Sequence, residues 1–130
     1  MINPYQKYQE SSVQTATPVQ LVVMLYDGAI RFAKQSVDEV DQKKYEAANR
    51  SLCKAQSIIH ELIASLNQEI EMSQNLLKLY DYLLHLLIEG NMKKDTKPVL
   101  EVINHLTELR ESWRQIAKQG SASNPTVANR

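Results

Sequence analysis

Glycine occurs only at positions 28, 90 and 120, and proline only at 4, 18, 98 and 125, in a chain of 130 residues. A β-rich fold of this length needs many more turn residues, so an all-β chain is excluded and long stretches are left free to be helical. The length is that of one domain. Such a chain can bury roughly two thirds of its unfolded surface, so folding calls for no disulfide or metal.

The free stretches carry helical periodicity. Thr17-Pro18-Val19-Gln20 reads as a helix start, with a threonine cap, a proline at the first helical position and a glutamine able to close a capping box. The first predicted helix runs from there to about Val40, with a seam at Val23, Tyr26, Ile30, Ala33, Val37 and Val40 and a second stripe at Val22, Leu25, Ala29 and Phe32. A second helix is predicted over Lys44 to Leu66, with a seam from Tyr45 through Leu52 and Ile59 to Leu66. A third is predicted over Met72 to Glu89, stopped at Gly90-Asn91, and a fourth over Thr96 to Lys118, capped by Asp95 and ended by Gly120. The fourth seam is Val99, Val102, Leu106, Leu109, Trp113 and Ile116. Four such helices with short links predict an all-α, antiparallel up-down-up-down four-helix bundle over residues 18–119. Residues 1–17 precede it as a segment without sustained helical period, and the small, polar residues 120–130 read as a disordered tail.

Fifteen basic residues balance fifteen acidic ones. Nucleic-acid binding depends on neutralising phosphates, so zero net charge without a basic cluster argues against it. No apolar run reaches the roughly 20 residues that span a bilayer, and the start lacks a signal pattern. A single cysteine, Cys53, makes no internal disulfide and fits a reducing compartment. The expected location is the cytoplasm.

Two helices carry more apolar surface than a bundle consumes. At about 100° per residue the fourth helix has a compact arc of roughly 140°, whereas the third covers roughly 200°, extended on one side by Tyr82. Leu21 and Met24 widen the first half of the first helix. Either residues 1–17 fold back over this surface, or the chain dimerises, or a partner's amphipathic helix covers it. Gly28, on the outer flank of the first helix, would let another segment's backbone approach.

Catalytic chemistry is not apparent. A di-iron bundle needs Glu-x-x-His pairs, and no glutamate has a histidine three residues later. Glycine-rich phosphate loops, Gly-x-Ser-x-Gly elbows and Cys-x-x-Cys pairs are missing too. His60 and His85 read as solvated; a histidine phosphotransfer or signalling bundle is the class-different alternative, though neither has a lysine or glycine following at close spacing. The expectation is a non-enzyme without cofactor or metal.

Asn3-Pro4-Tyr5, Tyr8, Val13 and Thr15-Ala16-Thr17-Pro18 lead into Leu21 and Met24-Leu25-Tyr26-Asp27-Gly28-Ala29-Ile30-Arg31-Phe32. Further on come Leu79-Tyr80-Asp81-Tyr82, Asn91, Asp95-Thr96, Leu109-Arg110 and Trp113. This succession, over about residues 3–117, resembles the FliS family of flagellar secretion chaperones. The link Asn67-Gln68-Glu69-Ile70 departs from it, since many relatives carry glycine there. The resemblance implies a cytoplasmic chaperone, monomer or homodimer, that binds the C-terminal helical region of flagellin, prevents premature polymerisation and delivers it to the flagellar type III export apparatus, with the export gate as a further partner. It also implies an N-terminal cap that moves when flagellin arrives, carried here by Tyr5, Tyr8 and Val13. The groove candidates are Leu21, Met24, Tyr26, Tyr82, Leu84 and Ile88, chosen from the helical arcs. Tyr26 serves equally well as seam packing.

Overall fold

The computed structural model describes residues 16–67 and 69–122. Four helices follow one another: α1 Pro18–Asp41, α2 Tyr45–Ala64, α3 Glu71–Lys93 and α4 Thr96–Ala122. They form the antiparallel up-down-up-down bundle that the periodicity predicts. Helix α1 packs between α2 and α4, and α3 closes the ring against the same two helices. Of the N-terminal segment 1–17 expected to act as a cap, residues 1–15 lie outside the described residues, as do residues 123–130 of the predicted tail.

Local chemistry sets the helix ends. At the start of α1 the Thr17 hydroxyl accepts the Gln20 N–H at 3.1 Å, and Gln20 Oε1 accepts the Thr17 N–H at 2.9 Å. Two orphan donors of the first turn are thereby satisfied. In the α2–α3 link, Asn67 Oδ1 accepts the Glu69 N–H at 3.0 Å, so the asparagine side chain supports the turn. Asp95 Oδ1 accepts the Lys97 N–H at 3.0 Å just ahead of the α4 proline, as its capping role predicts.

Both predicted glycine stops are corrected. Helix α3 continues through Gly90 to Lys93 and ends at Lys94, whose φ of 51° is left-handed. The Asp95 N–H bonds the Gly90 carbonyl at 3.0 Å and the Lys94 ammonium bonds the Asn91 carbonyl at 2.6 Å, so the last carbonyls are satisfied four residues later than expected. Gly90 is instead a close-approach position. A Cβ there would lie 2.7 Å from Val99 Cγ2 and 3.1 Å from the Asp95 carbonyl oxygen. Likewise α4 runs past Gly120 to Ala122, because a glycine weakens a helix without having to end it.

The seams supply the core: Leu52, Ile59 and Leu62 from α2, Leu83 and Leu87 from α3, and Val99, Val102 and Leu106 from α4 close on Ala29, Ile30 and Ala33 of α1. They fray at the ends, where Tyr45 and Ile116 are 46% and 48% exposed and lie outside the core.

Gly90 carries a test of this packing. On helix propensity alone, Gly90→Ala gains about 1 kcal/mol. Against Val99 and the Asp95 carbonyl it is expected to destabilise the bundle by about 1–3 kcal/mol, read by urea denaturation.

Candidate functional site

An open apolar groove lies between α1 and α2. Pro18, Leu21, Val22, Met24, Leu25, Gly28 and Phe32 form one wall, and Ile58, Glu61 and Ser65 the other, around a groove of about 690 Å³. Leu21 and Met24, which widen the first half of α1, are both half-buried in it. Gly28 forms part of the floor and is itself buried. What comes close to it is a side chain of α2 and not a backbone: a Cβ at Gly28 would meet Ile58 Cδ1 at 3.1 Å. At one end the Phe32 ring is flanked by two cations, the Arg31 guanidinium carbon at 5.1 Å and the Lys54 ammonium at 5.3 Å from its centroid. Both distances are within cation–π range.

Two other groove candidates are enclosed. Tyr26 is fully buried and Leu84 is only 9% exposed, both within the core cluster. Neither side chain lines a surface in this structure. Helical arcs read from sequence blur at their edges, because adjacent positions differ by about 100° and a neighbouring helix can cover one more row than the arc suggests. A charge at Leu84 therefore goes into apolar surroundings, and its cost falls on folding.

Tyr26 has a structural task instead. Its hydroxyl accepts the Trp113 Nε1–H at 3.1 Å and shares a buried hydrogen bond with the Tyr80 hydroxyl. Three helices, α1, α3 and α4, are joined at one oxygen. Burial pushes the Tyr26 hydroxyl above its ordinary pKa of 10.0, against the opposing hydrogen bonds from Tyr80 and Trp113. Burial and then the bond to Tyr26 raise Tyr80 as well. The next residue, Asp27, clasps α4 from outside, accepting from Arg110 at 2.9 Å and from Arg114 at 3.4 Å. The sequence gives no sign of this clasp, since partners 83 and 87 positions away leave no local signal.

Tyr82 and Ile88 are each 44% exposed and lie on α3, away from the groove between α1 and α2. The Tyr82 hydroxyl donates to Glu101 Oε2 at 2.5 Å, and its ring meets the His105 ring edge-on with centroids 6.2 Å apart. That hydrogen bond is the first cause of the raised pKa of Tyr82 and of the lowered pKa of Glu101. Ile88, six positions on, is about 120° away around the helix, so the two do not share one face. Tyr5, Tyr8 and Val13 lie outside the described residues.

Histidines 60 and 85 are exposed, and among the described residues no three metal-ligating side chains gather. No helix among the described residues is long and apolar enough to cross a membrane. What the surface offers is a helix-sized apolar groove on a rigid bundle, the property of a helical protein-binding module. The sequence profile of the family described as flagellar protein FliS matches residues 1–120. The chain is 41% identical over 113 residues to the flagellar secretion chaperone FliS of Bacillus subtilis, covering 87% of this chain and 85% of that one. It is 36% identical over 115 residues to the protein of the same name from Salmonella typhimurium, covering 86% and 85%. A solved bacterial flagellar chaperone shares the fold, with a TM-score of 0.74 at 20% identity over 88% of this chain and 95% of that one. The chain belongs to the FliS family, a family of flagellar export chaperones and not of enzymes. The phosphotransfer alternative gives way to it.

The tyrosine junction is open to test. Tyr26→Phe removes the shared acceptor and is expected to cost about 1–3 kcal/mol in urea denaturation. The double change Tyr26→Phe/Tyr80→Phe should cost less than the sum of the single changes, because both remove the same bond. With both pKa values raised, the folded chain keeps protons that the unfolded chain releases from about pH 10. The contribution is complete below that pH and lost as pH rises above it. Alkaline unfolding should be less steep with pH in the double variant.

Proposed function

We propose that this chain is a cytoplasmic chaperone for flagellin. It binds the C-terminal helical region of flagellin before assembly, keeps it from polymerising, and delivers it to the flagellar type III export apparatus. The observation that carries this reading is the open groove between α1 and α2, apolar along its floor and about 21 Å long from Pro18 to Phe32 at 1.5 Å per residue. It suits an amphipathic helix of about four turns. Leu21 and Met24 supply the apolar wall from α1. Tyr82 and Ile88, on separate flanks of α3, serve as further contacts where the flagellin chain extends beyond the groove. The reading agrees with the family and with the names of the relatives, which are secretion chaperones.

In the unloaded state residues 1–17, through Tyr5, Tyr8 and Val13, cover the groove and are displaced by flagellin. The support is positional: Pro18, the first residue of α1, is itself part of the groove, so the preceding segment begins at its mouth. Tyrosines suit such a part-time interface, being apolar in body and polar at the tip.

Titration with a peptide covering the C-terminal helical region of flagellin tests the reading. Binding is expected with a gain in helical circular dichroism and a negative heat-capacity change, the signature of folding coupled to apolar burial. Met24→Glu should weaken binding tenfold or more while shifting the thermal midpoint by no more than a few degrees. Full affinity in that folded variant moves the contact elsewhere. Removing residues 1–15 should strengthen flagellin binding or promote dimerisation; no change in either removes the cap.

A further inference from the structure

The end of the bundle away from Pro18 carries two links, α1–α2 and α3–α4, and they lie side by side. Tyr45, the first residue of α2, and Lys94, just past α3, line one open pocket of about 500 Å³. Behind it Asn91 Nδ2 donates to Asn49 Oδ1 at 2.7 Å and fastens α3 to α2.

The fold gathers charge here that the sequence keeps in separate pairs. Residues 41–50 and 93–97 hold six cations (Lys43, Lys44, Arg50, Lys93, Lys94 and Lys97) against three carboxylates (Asp41, Glu46 and Asp95). One turn back on α1 and α3, Glu39 Oε1 accepts the Ser51 hydroxyl at 2.6 Å and Glu89 holds Lys93 at 3.1 Å, while Asp38 is exposed. Lys43, Lys44 and Lys97 are exposed and make no ion pair among the described residues. The α2–α3 link at the opposite end has Glu69 and Glu71 and no cation.

Two of these lysines occupy backbone that favours glycine. Among the described residues the non-glycine positions with positive φ are Lys43, at 62°, and Lys94, at 51°. The Lys94 ammonium has a local use, since it bonds the Asn91 carbonyl at 2.6 Å. Lys43 sits where α1 ends, its N–H on the Val40 carbonyl at 2.9 Å and the Lys44 N–H on the Glu39 carbonyl at 2.8 Å. Its ammonium has no partner in the chain, and at an exposed site the α1 dipole recovers only part of the conformational cost. A side chain kept at such a position points to use outside the fold.

Apolar groups stand among the lysines: Met92 beside Lys93 is 81% exposed, and Tyr45 beside Lys44 is 46% exposed. Protein interfaces take up methionine and tyrosine but exclude lysine from their cores. A lipid surface accepts all three, with ammonium groups at phosphates and amphipathic or apolar side chains at headgroup level. We infer that this end of the bundle is a docking surface for an anionic lipid layer. The charge excess is small, so attachment is weak and reversible. The groove between α1 and α2 stops at Phe32, about 14 Å along α1 from Asp41, and stays clear of the lipid in an end-on pose. The proposal is independent of the flagellin reading.

Co-sedimentation of the full chain with vesicles of equal parts phosphatidylglycerol and phosphatidylcholine tests it, with pure phosphatidylcholine vesicles beside them. The chain is expected to sediment with the anionic vesicles at low salt, to be released toward about 1 M salt, and to ignore the zwitterionic ones. Binding to neither, or to both alike, overturns the proposal. Lys43→Gly and Lys97→Gln should each weaken binding about fivefold. Glycine suits the left-handed position, so Lys43→Gly keeps or raises the thermal midpoint and its weaker binding is not lost folding. Lys78→Gln, remote on α3, should leave binding unchanged; equal loss from it, or no loss from the other two, overturns the placement. An environment-sensitive fluorophore on Met92→Cys, in a Cys53→Ser background, should shift to the blue on anionic vesicles. The same fluorophore on Ala64→Cys, exposed near the opposite end, should not, and any other pattern overturns the end-on pose.

Discussion

A hydroxyl enclosed in an apolar core must find a partner or impose the cost of its lost hydration on the fold. Tyr26 is fully buried, and it meets that requirement with two groups at once, the Tyr80 hydroxyl and the Trp113 indole. Apolar seams alone tolerate sliding, because one leucine replaces another a turn away. A three-way polar junction does not, since a shift by one turn of α1, α3 or α4 leaves a buried donor without an acceptor. The Asp27 clasp on Arg110 and Arg114 lies beside it on the same pair of helices and supports the same register. Being part-exposed, that clasp contributes less energy than specificity of placement.

The register of α1 in turn determines what faces outward. With Tyr26, Ala29, Ile30 and Ala33 committed to the core, the stripe carrying Leu21, Met24 and Gly28 is turned toward α2 and solvent. Helix α2 covers only part of it. Ile58 reaches the floor at Gly28, while Glu61 and Ser65, short of apolar bulk, leave the upper half of the wall open. The groove thus follows from a mismatch in width between the apolar surface of α1 and the outer side of α2, held in place by a core that has no freedom to slide and close it.

This division explains what could be read from the chain alone. Helix positions, the seams from Leu52 to Leu106 and the caps at Thr17 and Asp95 follow from spacing within a few residues, which periodicity reports directly. The surplus at Leu21 and Met24 was legible for the same reason. Gly90 was misread because a glycine near a helix end carries a local stop signal, whereas its use, admitting Val99 of the next helix, depends on an approach in space. Leu84 was placed in the groove, and Tyr26 was left open between groove and seam, because an arc has no sharp edge until its neighbours are known. The second wall of the groove escaped notice, since Ile58, Glu61 and Ser65 form a mixed stripe that looks like ordinary solvated helix. The Tyr26–Tyr80–Trp113 junction, spanning 54 and 87 positions, has no local signature at all.

Net neutrality gives the arrangement of charges its meaning. A chain with fifteen basic and fifteen acidic residues has no overall field with which to draw in or orient a partner at a distance. Whatever electrostatic information it presents is local, effective within about a Debye length, roughly 8–10 Å in physiological salt. The Phe32 end of the groove is where such information is concentrated, because the ring holds Arg31 and Lys54 against an apolar surface instead of letting them disperse into water. An apolar floor is indifferent to the direction of a helix lying on it, since Leu and Met contact side chains of either polarity of chain equally well. A substitution in the floor and one among the charges around Phe32 therefore perturb different properties of the groove, apolar area in the first case and local charge in the second.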